Sequence, residues 1–273
     1  MKIKIATIQS KVYEDKYRNI ENLAEIFASG KAEGADFVVL PEMWNCPYIA
    51  KKFPEYAEPE TGDTVLAMST LARKHNVYLV GGSIPEIDND GKVYNTCYVF
   101  NRKGEIIGKH RKVHLFDVNF GLIKFHESDT LTAGNRFDTI VTEFGKIGVN
   151  ICFDVRFPEG MRLQVLEGAN IIFLPAAFMM NTGKAHWDIN LRMRAIENQV
   201  FFVADAPARD KSIGYEAWGH SYVVDPWGSV ITDMGEDEGV AITEIDLDQI
   251  QKVRAELPLI TARREDVYTL EKK

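Results

Sequence analysis

Three predicted strands in this chain each end in a side chain able to do acyl chemistry. Ile147 to Ile151 reads as a buried strand, and Cys152 follows it within Gly-Val-Asn-Ile-Cys-Phe-Asp-Val-Arg-Phe-Pro-Glu, residues 148 to 159. A thiol where a strand stops and a helix is about to begin is lifted to the sheet edge, where ligands bind. Backbone N–H groups at such a turn favour a thiolate and, later, an oxyanion. Phe37-Val38-Val39-Leu40-Pro41-Glu42 is a strand ending in a carboxylate. Gly108 to Leu115 (Gly-Lys-His-Arg-Lys-Val-His-Leu) ends a strand in a basic cluster that contains Lys112. Thiol, carboxylate and lysine can serve as nucleophile, proton carrier and holder of negative charge. Each also has a plainer reading. Most free cysteines are small buried apolar residues. Glu42 fits a surface carboxylate just past a strand, and Lys112 a solvated lysine in a basic run.

All three sit in the local context of one family. Leu40-Pro41-Glu42, Lys112-Val113-His114-Leu115 and the run from Cys152 to Glu159 resemble the L-P-E, K-x-H-L and C-x-D-x-R-F-P-E segments of the nitrilase superfamily of carbon–nitrogen hydrolases. The resemblance runs from Ile5 to about Tyr268. It is closest to the omega-amidase branch, through residues 182–187 (Thr-Gly-Lys-Ala-His-Trp), 217–221 (Ala-Trp-Gly-His-Ser), 128–131 (Ser-Asp-Thr-Leu) and 225–228 (Asp-Pro-Trp-Gly). It implies a four-layer α-β-β-α sandwich packing as a dimer, and a catalytic set of Glu42, Lys112 and Cys152. Glu127 matches a second family glutamate beside the lysine, where it would oppose loss of the ammonium charge to burial.

The implied chemistry is amide hydrolysis. Cys152 attacks the carbonyl, Glu42 carries the proton to the leaving ammonia, and Lys112 with the backbone N–H of Phe153 holds the oxyanion. Water then cleaves the thioester, and no metal or organic cofactor is required. The expected substrate is the terminal amide of a small dicarboxylic acid monoamide such as 2-oxoglutaramate or 2-oxosuccinamate. The alternative is an N-carbamoyl amino acid or amine, and further off lie a nitrilase or a silent binding protein. Arg156 either forks onto a substrate carboxylate or bridges to an acidic neighbour. Phe116 and Phe178 line the acyl pocket or belong to the core. Asn150, Lys184, Ala176 and the pair Met179-Met180 depart from the branch pattern near the expected pocket, which bears on acyl specificity.

Composition sets the frame for these residues. With 273 residues, 45% of them apolar, the chain suits one α/β domain over residues 1–273, with a core over 3–255 and a tail over 256–273; the family resemblance implies that this tail contributes to the dimer contact. The net charge of −8 and scattered basic residues argue against nucleic acid, and the one dense patch, Lys109 to Lys112, is better read as part of a site. No apolar run approaches the ~20 residues of a membrane span. Cys46, Cys97 and Cys152 have no paired spacing, and the amino terminus enters a strand at once, so a reducing cytoplasmic setting is expected. His110 and His114 lack the acidic companion of a helical zinc motif, and no metal site is assigned to them.

Periodicity predicts strands at 2–9, 35–40, 78–84, 93–100, 105–109, 147–151, 170–174, 200–205, 221–225, 229–232 and 239–245. It predicts helices at 17–33, 63–75, 158–167, 187–199 and 246–255, and a long loop from Leu115 to Asn135. Strand and helix alternate as in α/β layers. Residues 32–41 (Ala-Glu-Gly-Ala-Asp-Phe-Val-Val-Leu-Pro) read like residues 166–175 (Leu-Glu-Gly-Ala-Asn-Ile-Ile-Phe-Leu-Pro), which suggests two equivalent halves, each with one sheet.

Overall fold

A computed structural model describes residues 1–121, 123–212 and 214–273, with the backbone alone for Phe120 and Ile123. The first half runs β1 (Lys2–Gln9), α1 (Lys16–Ala28), β2 (Phe37–Val39), α2 (Phe53–Tyr56), α3 (Asp63–His75), β3 (Tyr78–Val80), β4 (Ile84–Ile87), β5 (Val93–Phe100) and β6 (Ile106–Arg111). A hairpin, β7 (Asp117–Phe120) and β8 (Ile123–His126), leads to the second half. That half has β9 (Thr139–Thr142), β10 (Gly145–Val149), α4 (Pro158–Leu166), β11 (Ala169–Pro175), α5 (Met180–Asn198), β12 (Phe201–Asp205), β13 (Tyr222–Val224), β14 (Val230–Asp233), β15 (Gly239–Asp246) and α6 (Asp248–Glu256).

Among the described residues, one sheet has the order β15-β1-β2-β3-β5-β4, with β6 also on β5, and another the order β14-β13-β12-β11-β10-β9. β2 lies between parallel partners β1 and β3, and β11 between parallel partners β10 and β12. Both parallel trios are flanked by antiparallel neighbours. The two similar decapeptides thus end in strands at equivalent positions of the two sheets, but the halves do not each keep one sheet, because β15 of the second half pairs with β1.

The period of two along each strand explains the packing. Ile3, Ile5, Phe37 and Val39 join one apolar cluster with Ile147, Val149, Ile171 and Phe173 of the other sheet and Trp187 and Leu191 of α5. Ala6, Ile8 and Val38 join a second with Leu23 and Phe27 of α1 and Val65, Met68 and Leu71 of α3. Phe37 and Phe173 meet directly across the sheets, their ring centroids 5.3 Å apart.

Two sequence expectations are corrected. The stretch 115–135 is not a featureless loop: β7 and β8 pair antiparallel around a turn at Gly121 (φ 59), and Glu127–Asp129 is a 3-10 turn. Strands of four mixed residues carry too little period to register; residue 122 lies outside the described residues. The run 78–84 is broken after Val80. Gly82 has φ 62, and a Cβ there would stand 2.2 Å from the Pro41 carbonyl oxygen. The chain turns at this point to brace the end of β2.

Candidate active site

Each reactive side chain is delivered by a backbone feature. Pro41 follows the end of β2, and Met43 takes a left-handed conformation (φ 51) at the turn that carries Glu42 inward. The Ser83 hydroxyl accepts from Met43 N–H at 3.0 Å, and Ser83 N–H donates to Pro41 O at 3.1 Å. Lys112 follows β6, whose alternation sends His110 and Lys112 into the interior. Lys109 and Arg111 instead reach Glu86, at 2.9 and 2.8 Å. Only Lys112 of the dense basic patch therefore reaches the site, which corrects the wider reading.

Cys152 opens the 3-10 turn Cys152–Arg156 after β10, with φ 44. A non-glycine residue in this region costs roughly 1–3 kcal/mol and persists only where its surroundings enforce it. Asp154 supplies much of that enforcement. Its carboxylate accepts from Ile151 N–H at 3.0 Å and His114 N–H at 2.9 Å, and meets His110 Nε2 at 2.9 Å and His114 Nδ1 at 2.8 Å. Although burial opposes it, these histidines hold the Asp154 carboxyl well below its ordinary range. The two histidines flagged by their spacing thus clamp the cysteine turn.

The four expected side chains converge in one buried cluster. Glu42, Lys112 and Glu127 are each no more than 1% exposed. Lys112 Nζ donates to Glu42 Oε1 at 2.8 Å, to Glu127 Oε1 at 2.9 Å and to the Tyr48 hydroxyl at 3.3 Å, which uses its three protons. Tyr48 in turn donates to Glu127 at 2.7 Å. The other Glu127 oxygen accepts from Phe116 N–H at 2.7 Å. Asn95 Nδ2 donates to Glu42 Oε1 at 2.9 Å, and Ala177 N–H to Glu42 Oε2 at 2.8 Å. The Cys152 thiol is close enough to Glu42 and Lys112 for both charges to act on it. Phe153 follows the cysteine in the first turn, where amides have no acceptor within the helix.

Electrostatics assign the resting protons. Burial alone would strip Lys112, but the charges of Glu127 and Glu42 outweigh it and hold the ammonium above the ordinary lysine range. Burial raises the Glu42 carboxyl, against the pull of Lys112 and with the Glu127 charge adding to the rise. Burial, then the Glu42 carboxylate, push the Cys152 thiol well up, more than Lys112 pulls it down. The resting nucleophile is therefore a thiol handing its proton toward Glu42, not the standing thiolate that a lysine neighbour suggests.

Beside the thiol is a narrow cleft lined by Phe116, Phe153, Arg156, Phe178, Met179 and Thr182 together with Cys152 and Ala177. Arg156 is half-buried. Its Nη1 meets His186 Nδ1 at 3.2 Å, and its guanidinium lies 5.0 Å from the Phe178 ring centre. Among the described residues no carboxylate pairs with it, so it does not bridge to an acidic neighbour. Phe116 and Phe178, 7% and 4% exposed, are both core and pocket wall. Asn150 points away from the cavity to Gln164 Oε1 at 2.7 Å, and Lys184 is exposed on α5, so neither departure shapes the pocket. Met179 does line it.

Sequence reasoning missed Tyr48, Asn95 and the Ala177 amide. None of the three carries a charge or a thiol, and only the fold brings them within reach of Glu42.

A family model described as carbon-nitrogen hydrolase matches residues 4–255. The protein named nitrilase homolog 2 of Dictyostelium discoideum is 43% identical over 270 residues, covering 98% of this chain and 82% of its own. The omega-amidase NIT2 of Xenopus tropicalis is 42% identical over 273 residues, covering 100% and 99%. The crystal structure of Nit3 from Saccharomyces cerevisiae, a member of branch 10 of the nitrilase superfamily, superposes with a TM-score of 0.89 at 40% identity over 97% and 96% of the two chains.

Proposed function

Because the chain belongs to the carbon–nitrogen hydrolase family, and so is a hydrolase of carbon–nitrogen bonds, we propose that it removes ammonia from the terminal amide of a small dicarboxylic acid monoamide. The observation that carries this reading is Arg156. A half-buried guanidinium with no acidic partner among the described residues, lining the same narrow cleft as the thiol, suits a short acyl chain ending in a carboxylate. Substrates of this shape are 2-oxoglutaramate and 2-oxosuccinamate. The omega-amidase name of the Xenopus relative agrees with it.

The chemistry follows from the proton positions. Glu42 takes the thiol proton as Cys152 sulfur bonds to the amide carbon, and the carbonyl electrons move to oxygen. Lys112 keeps its charge and exchanges its long 3.3 Å bond to Tyr48 for the new oxyanion, with Phe153 N–H as second donor. Collapse breaks the C–N bond while Glu42 protonates the nitrogen, and ammonia leaves. Water then gives a proton to Glu42 and attacks the thioester. The C–S bond breaks, and the sulfur recovers its proton from Glu42. Glu127 accepts from Lys112 and Tyr48 and holds both in place.

The same Arg156 would also receive the carboxylate of an N-carbamoyl amino acid, so the products decide between the two. Ammonia without carbon dioxide from 2-oxoglutaramate supports the amidase reading. Turnover confined to N-carbamoyl compounds, with carbon dioxide released, would replace it. Reading the two sheets and their flanking helices as a four-layer α-β-β-α sandwich, and the protein as a cytoplasmic dimer with residues 256–273 at the contact, belongs to the same proposal. Sedimentation tests the dimer.

A further inference from the structure

The two oxygens of Glu42 are not equivalent. Oε1 accepts from Lys112 Nζ at 2.8 Å and from Asn95 Nδ2 at 2.9 Å, which occupies its two lone-pair directions. Oε2 accepts from the Ala177 N–H at 2.8 Å, its one donor among the described residues. The spare lone pair of Glu42 is therefore on Oε2, and the Ala177 amide sets where that oxygen points. Ala177 also lines the cleft that holds Cys152.

Ala177 stands in the link between β11 and α5, where neither a strand ladder nor a helix fixes the backbone. Its neighbours are held by other main chain. Ala176 N–H donates to the Asp205 carbonyl at 2.8 Å, the Phe178 carbonyl accepts from Trp218 N–H at 2.8 Å, and Met179 pairs with Ala217. The Ala177 carbonyl is held by a side chain instead, the Tyr215 hydroxyl, its one donor among the described residues. A buried carbonyl that loses its donor is costly to leave in place, so this hydroxyl fixes the backbone at Ala177 and with it the N–H that Glu42 uses. The Tyr215 ring packs on Tyr48 with centroids 4.7 Å apart. Tyr215 and Glu42 line one narrow space, and the cleft containing Arg156 is lined by other residues.

We propose that Tyr215 is a positioning residue for the proton transfers of Glu42. Its hydroxyl holds the Ala177 carbonyl, so that the Ala177 N–H keeps Glu42 Oε2 aimed at the reacting sulfur and nitrogen. Its ring braces Tyr48, which donates to Glu127. One side chain from the loop before β13 thus steadies both glutamates of the site. This inference rests on the reading of Glu42 as the proton carrier.

Tyr215→Phe keeps the ring and removes the hydroxyl. Loosening Ala177 weakens a hydrogen bond to ionised Glu42, which favours the protonated carboxyl. The acid limb of kcat/KM therefore moves to higher pH. Lys112, Glu127, Tyr48, Cys46 and Cys152 also face Glu42, and the variant alters none of them. On whichever amide or N-carbamoyl compound the wild type turns over, kcat is expected to fall about tenfold. KM is expected to stay within about twofold, because the Arg156 cleft is untouched. Melting temperatures establish that the variant is folded, and if Tyr215→Phe does not fold, Tyr215→His carries the same readouts. Wild-type kcat and an unmoved acid limb would overturn the proposal. A lower kcat with the acid limb unmoved would overturn it too, since that is the mark of a merely structural role. Glu42→Gln is measured in parallel. Turnover retained in Glu42→Gln would remove the proton carrier itself, whereas an inactive Glu42→Gln beside an unaffected Tyr215→Phe would remove Tyr215 alone.

Discussion

At the scale of single residues, the site depends on a buried lysine held between two buried glutamates, Glu42 and Glu127. Tyr48 joins them, since its one proton goes to Glu127 while its oxygen receives Lys112. Tyr48→Phe leaves Glu127 short of a donor at little change in volume. Losing such a buried bond costs ~1–3 kcal/mol, so kcat is expected to fall about tenfold to a hundredfold with the fold intact, as steady-state ammonia release would show. An unchanged kcat would remove Tyr48 from the network's function.

The pH profile belongs to the same scale. Glu42 must be ionised to accept the thiol proton, and burial sets its pKa above the ordinary glutamate range. Activity is therefore lost as pH falls through a value above the ~4.3 of a free glutamate. On the alkaline side, Lys112 and Cys152 are both raised, so no loss is expected near the ordinary lysine range. A profile of kcat/KM from pH 4 to 10 checks both limbs.

At the scale of elements, the two turns that present Glu42 and Cys152 use left-handed non-glycine residues, Met43 and Cys152, each braced from outside. Gly82→Ala drives a methyl group into the Pro41 carbonyl and forces a strained φ, so the turn carrying Glu42 must shift. A misplacement of about 1 Å can cost a hundredfold in rate. The expected result is a large loss of kcat together with a lower melting temperature, read by kinetics and thermal unfolding of the same variant.

Much of this was legible in the sequence. The strands ending at Val39 and Val149, the helix at 63–75 and the family runs around Glu42, Lys112, Glu127 and Cys152 all carry local patterns. What was not legible arises from distant segments meeting. Asn95 sits in an ordinary strand, and Ala177 has no reactive side chain, yet both hydrogen-bond Glu42. That burial and the Glu42 charge keep Cys152 a thiol at rest is likewise something spacing cannot report.

At the scale of the whole molecule, a second buried network ties the two sheets together near the ends of β1 and β12. Ser221 Oγ lies 2.8 Å from Gln9 Oε1 and 2.8 Å from Asp205 Oδ1, while Ala206 N–H donates to it at 3.0 Å. One hydroxyl proton cannot serve both acceptors, so the network is complete when Asp205 is protonated and donates to Ser221. Burial pushes the Asp205 carboxyl up from 3.8 to about 8. A raised folded-state value means that this stabilising contribution is full below about pH 4, declines between about pH 4 and 8, and is level above. The slope is at most about 1.4 kcal/mol per pH unit. Asp205→Asn keeps the shape and donates to Ser221 at every pH. It is expected to flatten the stability profile across that window and to exceed the wild type at pH 8 in denaturant midpoint. A variant with the wild-type slope would place the titration elsewhere.

The whole hydrolytic scheme turns on one sulfur atom. The direct measurement is ammonia release from 2-oxoglutaramate by the wild-type chain and by Cys152→Ala in parallel, with melting temperatures confirming that both are folded. Steady turnover by the wild type and none above background by Cys152→Ala is the predicted result. Retained turnover in a folded Cys152→Ala would contradict the nucleophile, and with it the thioester and the roles given to Glu42 and Lys112.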